Sequence, residues 1–193
     1  MSSINSRVQL LLALLYSGED EHSAEQTSTS VEGITRLEKL LFLLRTEFGF
    51  LSDSRDEDDF HFIPFKMGPW TNEVNDELDF LESLGLVDRK SSIDVSPADA
   101  AHEKQLFSES LLDKYQHSEI GQSESGGDTF QLTPKGREAA LKIWDQMESE
   151  EKTKMIKLKK KFNAVNLKQF LRYVYKYHPD YTTSSEIINY IRN

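Results

Sequence analysis

The chain has 193 residues, of which 23 are Lys or Arg and 33 are Asp or Glu, for a formal charge of −10 and a pI near 5.0. With 37% hydrophobic and 10% aromatic residues it can build a core, which excludes wholesale disorder, and its acidity excludes a uniformly basic nucleic-acid coat. Cysteine is absent, which excludes disulfides, thiolate nucleophiles, Cys-ligated zinc and iron–sulfur clusters and fits a reducing cytosol.

No run reaches the roughly 18 to 20 apolar residues of a membrane helix. Leu10 to Leu15 with Tyr16, preceded by Arg7, is the nearest approach, but Gly18-Glu19-Asp20-Glu21 follows it with no cleavage pattern. The reading is an amphipathic first helix, about Asn5 to Ser17, with Val8, Leu11, Leu12 and Leu15 on its buried stripe. A cytoplasmic protein without a membrane partner is expected. A polar loop follows to about Thr29. Thr35 and Glu38 then have capping-box spacing, ahead of a helix whose stripe is Leu37, Leu40, Leu41, Leu44 and Phe48 and which Gly49 stops.

Beyond an acidic loop, Phe60 to Lys66 reads as a short extended segment, kept to an edge by Pro64. Gly68-Pro69-Trp70-Thr71 is predicted to turn into a third helix, Asn72 to Leu84, with Val74, Leu78, Leu81 and Leu84 buried and Gly85 ending it. Leu86 to Lys90 reads as a strand. Residues 91–128 are rich in Ser, Asp, Glu and Gln, with a weak helical patch at Ala98 to Tyr115 and a flexible end by composition. Thr129 to Thr133 is a second strand, and Pro134 opens a helix carrying Ala139, Ala140, Ile143, Trp144 and Met147. Three short helices complete the chain. Met155, Leu158 and Phe162 mark the first, Asn166 caps the second, and Thr183 with Glu186 offers a capping box to the third.

Charge divides the chain unequally. Residues 151–193 carry 10 basic and 3 acidic residues, a net of +7, which leaves −17 on residues 1–150.

Motifs for catalysis are missing. His22, His61, His102, His117 and His178 have no spacing that places two imidazoles on one helix face. The acidic stretch Asp53 to Asp59 has Arg55 where a calcium loop needs a ligand, and it lacks the required glycine. Phosphate-cradling glycine loops and a Gly-x-Ser-x-Gly elbow are absent too. No catalytic, cofactor-binding or metal-binding residue is assigned, and no enzyme is expected.

The order helix, helix, helix, strand, long loop, strand resembles a winged helix-turn-helix domain with an enlarged wing. Leu78-Asp79-Phe80-Leu81-Glu82-Ser83-Leu84-Gly85-Leu86-Val87 is similar to the passage from third helix into wing. Phe130-Gln131-Leu132-Thr133-Pro134-Lys135-Gly136 is similar to the returning strand and the helix after it. Leu37-Glu38-Lys39-Leu40-Leu41-Phe42-Leu43, together with Phe65-Lys66-Met67-Gly68-Pro69-Trp70-Thr71-Asn72-Glu73-Val74, resembles small bacterial and archaeal YwgA-like proteins and, more distantly, Panacea-type antitoxin domains. The likeness covers roughly residues 31–90 and 129–148; residues 91–128 depart from the compact pattern, and the basic tail is not matched to it. It implies a fold, and the distant relation implies neutralisation of a partner protein.

Whether such a body reads DNA is a question of charge. From Thr71 to Val87 there is no Lys or Arg, while Glu73, Asp76, Glu77, Asp79 and Glu82 occupy the third helix. Carboxylates there oppose the phosphates that a recognition helix must approach. The basic tail is the remaining nucleic-acid candidate, through Lys154, Lys157, Lys160, Lys161 and Arg172, with interleaved tyrosines available to stack on bases. A solvated helix face and a homodimer joining the +7 tail to the −17 body are the other readings of the same charge. Trp70 is the candidate partner-binding residue, since its large apolar face and its N–H both favour an interface.

The expectation is a mainly helical protein with a small β-hairpin. Its winged-helix-like domain spans residues 1–148, with a wing insertion at 91–128, and a basic helical region spans 149–193. The expected role is a non-enzymatic regulatory or protein-interaction module with a protein partner, binding nucleic acid through its basic end. A conventional winged-helix transcription regulator is one alternative. An accessory subunit of a nucleic-acid-processing or defence enzyme is the other.

Overall fold

A computed structural model describes residues 4–18, 30–52, 55–90 and 128–192. The helical patch at Ala98 to Tyr115, His22, His102, His117 and Asp53 lie outside the described residues. The protein is mainly α-helical with small antiparallel sheets. No described helix is long and apolar enough to cross a membrane.

Helix α1 (Arg7–Tyr16) starts at Ser6, whose hydroxyl accepts from the Gln9 N–H. Every residue from Leu10 to Tyr16 is buried, so the expected stripe is in fact a whole surface. A helix apolar all round must be enclosed. Helices α2 (Ile34–Phe48), α3 (Glu73–Ser83) and α4 (Pro134–Gln146) pack around it.

The capping box expected at Thr35 and Glu38 does not form. Strand β1 (Val31–Glu32) pairs with β5 (Thr129–Leu132) and runs straight into Gly33, whose N–H donates to the Asp128 carbonyl and whose φ is +81°. The helix therefore begins at Ile34, and Thr35 and Glu38 lie inside it. At the far end Gly49, with φ +71°, lets the Phe50 N–H reach the Leu44 carbonyl.

Strands β2 (Ile63–Phe65) and β3 (Gly68–Trp70) form a hairpin, with Phe65 opposite Gly68 and Pro64 opposite Pro69. The expected turn at Gly68 to Thr71 is thus corrected: the chain reverses at Lys66-Met67, and Gly68-Pro69-Trp70 is the return strand. Ladder alternation explains how two prolines can face each other. The closing pair carries the hydrogen bonds, and the next pair needs no N–H.

Helix α3 buries Val74, Leu78 and Leu81, but Leu84 is 43% exposed, against expectation. Leu84 sits past the helix end, where Gly85 at φ +66° sends the chain into β4 (Val87–Lys90) and the Leu86 N–H returns to the Leu81 carbonyl. Strand β5 lies between β4 and β1, with Val87 opposite Leu132 and Lys90 opposite Thr129. Thr133 then caps α4 by accepting from the Gly136 N–H, with Pro134 in the first turn.

Helices α5 (Ser149–Asn163), α6 (Leu167–Tyr177) and α7 (Ile188–Arg192) follow, with Asn166 capping α6 as expected. The box at Thr183 and Glu186 does not form. A 3-10 turn at Pro179–Thr182 takes Thr183 as a donor to the Asp180 carbonyl, and the Glu186 N–H is spent on the Lys66 carbonyl. Met155, Leu158, Phe162, Phe170 and Val174 join one buried cluster with Leu11, Leu40, Leu44, Leu78 and Leu81. Leu171, Ile187 and Ile191 make a smaller one.

Cations close several helix ends from a distance. Lys159 of α5 is 4% exposed and donates to the Leu14, Leu15 and Ser17 carbonyls at the end of α1. Lys135 serves the Leu84 carbonyl after α3. Arg36 of α2 donates to the Phe162 and Val165 carbonyls at the end of α5. Each places positive charge where a helix dipole is negative and carbonyls lack partners.

Candidate functional site

Two of the sequence patterns meet in space. Because α2 starts at Ile34, Thr35, Glu38 and Lys39 line a cleft opposite Phe65, Lys66, Met67 and Trp70 of the hairpin. Lys39 and Glu38 are 1% and 4% exposed, and Lys39 Nζ lies 3.1 Å from Glu38 Oε2. Trp70 is half-buried, its ring centroid 4.9 Å from that of Phe65, and its indole N–H meets no acceptor among the described residues. The candidate partner-binding residue is thus partly buried opposite the second helix.

The C-terminal helices hold the hairpin wall in place. The Lys66 carbonyl accepts from the Glu186 N–H and the Ser185 hydroxyl, while Ser185 is also 2.7 Å from the Tyr175 hydroxyl. Tyr175 packs over Gly68 so closely that an added Cβ there would stand 3.0 Å from its ring. Burial raises the Tyr175 hydroxyl pKa above its ordinary value, against the lowering effect of the Ser185 bond. The cleft encloses about 290 Å³, counted with its open mouth. Two lysines and one glutamate give it a formal charge of +1, within a body that carries −17 over residues 1–150.

The basic residues are dispersed by role. Lys154 pairs with Glu150 at 2.7 Å, which holds the Glu150 carboxyl below the ordinary range. Lys161 lies 4.2 Å from the Tyr173 ring centroid and 4.7 Å from that of Phe162. Arg172 donates through Nε to the Ile191 carbonyl, so it faces α7. Lys157 and Lys160 are exposed on α5 and meet no hydrogen-bond or ion-pair partner among the described residues. Burial, with the Glu47 carboxylate beside it, pushes the Tyr173 hydroxyl up to about 12.

Helix α3 uses its acids internally. Arg7 reaches Glu77 at 2.8 Å and Glu73 at 3.3 Å, and Arg89 bridges Asp79 and Glu82. Among the described residues no group of three or more His, Asp or Glu is placed to hold a metal ion.

Sequence reasoning singled out Trp70 but missed Lys39, although a signal was present. Phe42 and Leu43 fall outside the Leu37–Leu40–Leu44 stripe, marking a second buried face, and Lys39 is one turn before them on it. No protein-family model matches the chain, and no curated protein or solved structure shows significant similarity to it.

Proposed function

We propose that the chain is a non-enzymatic regulatory or protein-interaction module on a winged-helix-like body, with the cleft under Trp70 as its contact site. The observation that carries this reading is the convergence of the Leu37–Leu43 and Phe65–Val74 segments on one cleft around a buried ion pair. A buried pair is costly to desolvate and is weakly justified by stability alone, so specificity is the better account of it. The same segments carry the resemblance to YwgA-like proteins. A photo-crosslinking amino acid at position 70 tests the reading, with the exposed Leu141 position as control. One partner captured at 70 and not at 141, and lost by a folded Trp70→Ala protein, supports it. Equal capture at both positions rejects it.

A second reading, nucleic-acid binding by α5, is favoured by the exposed Lys157 and Lys160, unpaired among the described residues, beside Lys161 and Tyr173. With three contacts, the log–log salt slope on duplex DNA would be about −3. Replacing all three lysines by Gln removes that slope. No binding by the wild type at low salt ends this reading.

A further inference from the structure

The basic run of α5 continues onto α6. From Lys152 to Pro179 the chain has nine Lys or Arg and no Asp or Glu. Lys157, Lys160 and Lys161 lie within about one turn of α5 and are all exposed. Lys157 and Lys160 meet no hydrogen-bond or ion-pair partner among the described residues. Lys161 Nζ stands 4.2 Å from the Tyr173 ring centroid on α6. Tyr173 in turn lies 4.6 Å from Tyr177, centroid to centroid, and Lys176 Nζ is 5.2 Å from the Tyr177 ring. Lysines and tyrosines thus form one stripe that crosses from α5 to the end of α6.

The two rings differ in what they offer. Tyr173 carries Lys161 on its ring, and its hydroxyl donates to Glu47, which also lies 2.9 Å from His178 Nε2. That ring is fixed. Tyr177 is 56% exposed, more than any other large hydrophobic residue described. An open aromatic ring among cations suits a base stacked on the ring with its phosphates on the lysines. A duplex keeps its base faces against one another, so it meets the lysines and leaves the ring bare. An acidic side chain likewise supplies charge alone.

We propose that this stripe binds single-stranded nucleic acid, with phosphates on Lys157, Lys160, Lys161 and Lys176 and an unpaired base stacked on Tyr177. The proposal deepens the nucleic-acid reading of α5 and rests on it: it extends the site onto α6 and specifies the form of the strand. DNA and RNA share the chemistry it requires.

The full chain is titrated by fluorescence anisotropy with four labelled probes of about eight nucleotides. They are oligothymidylate, oligouridylate, an abasic deoxyribose-phosphate strand of equal charge, and a duplex of the same length. The base-bearing strands should bind about fivefold or more tightly than the abasic one, the gain from a single stacked base. Their log–log salt slope should be about −3 for four phosphate contacts, and Lys176→Gln should flatten it by about 0.7. Tyr177→Ala should weaken the base-bearing strands about fivefold or more and leave the salt slope, the abasic strand and the duplex unchanged. Tyr177→Phe should retain full affinity. A preference for thymidylate or for uridylate supports the proposal either way and tells which sugar the stripe meets. Equal binding of abasic and base-bearing strands overturns it, and that comparison needs no variant to fold. So does a folded Tyr177→Ala protein with unchanged affinity, or one that loses duplex as much as single strand. Any of these results, with binding still lowered by replacing the α5 lysines, leaves the nucleic-acid reading standing. No binding of any probe at low salt removes both.

Discussion

Neighbouring lysines on α5 have opposite roles. Lys159 is enclosed and serves three carbonyls at the end of α1, while Lys160 is in solvent. Hydrogen bonds to a charged donor contribute more than neutral ones, and the carbonyls left behind would stay dry. Lys159→Met should therefore cost roughly 2 to 4 kcal/mol in denaturant unfolding, and Lys160→Met should stay within about 0.5 kcal/mol. Glu73 supplies a pH counterpart. Burial alone would raise its carboxyl, but the His61 N–H, the His61 ring and the Thr71 hydroxyl hold it below the ordinary 4.5. A depressed folded value means the unfolded chain binds the proton first. The contribution is complete above 4.5 and falls away as pH drops through the lower folded value. Glu73→Gln should flatten the acid limb of a stability–pH curve; an unchanged limb would show that other carboxylates set it.

At the scale of elements, the junction of α4 with the β4–β5 pair leaves no room for a side chain at Gly136. A Cβ at Gly136 would stand 1.9 Å from the Leu86 carbonyl oxygen, itself the acceptor of the Thr133 N–H. Alanine is ordinarily better than glycine in a helix by about 1 kcal/mol. Here Gly136→Ala should destabilise by roughly 1 to 3 kcal/mol, because backbone must move to admit the methyl. A rise in melting temperature would show that α4 can slide off the strand without loss. Much of the element order was readable in the sequence: α3 with its Gly85 stop, the β4 and β5 strands, Pro134 and the Asn166 cap all depend on local chemistry. What could not be read depended on partners. Thr35 and Glu38 have capping-box spacing, but a two-residue strand, β1, pairs with β5 and starts the helix early. Lys159 could have been found, since it lies four residues after Met155 and three before Phe162, on the same stripe. Charge alone assigned it to solvent.

For the whole molecule, the division at residue 148 separates elements that share one buried cluster. Removing residues 149–193 would uncover Leu14 and Leu15 carbonyls, the α2 surface under Phe162, and the outer support of the hairpin. A chain ending at residue 148 should lose cooperative unfolding and expose apolar surface to dye binding. A sharp two-state transition from that fragment would show that the first 148 residues fold alone. In the cleft, the side-chain types could be read in advance, and Trp70 was. Its wall geometry could not, because Tyr175 and Ser185 come from the far end of the chain to hold the hairpin.

The bond from Lys159 to the Leu14 carbonyl spans 145 residues. Closing a loop of that length slows folding, because its entropy is lost before the contact is made. During synthesis the order of events matters more. The α1 helix leaves the ribosome well ahead of α5, with Leu10 to Tyr16 needing burial on every side, and the lysine that caps it follows 145 residues after Leu14. At about 5 to 20 residues per second, the helix waits several seconds or more without its enclosure. For that interval the nascent protein presents a bare Leu-rich rod, a natural substrate for the chaperones that bind such segments. Nascent-chain pull-downs arrested before and after residue 159 should show that occupancy and its release.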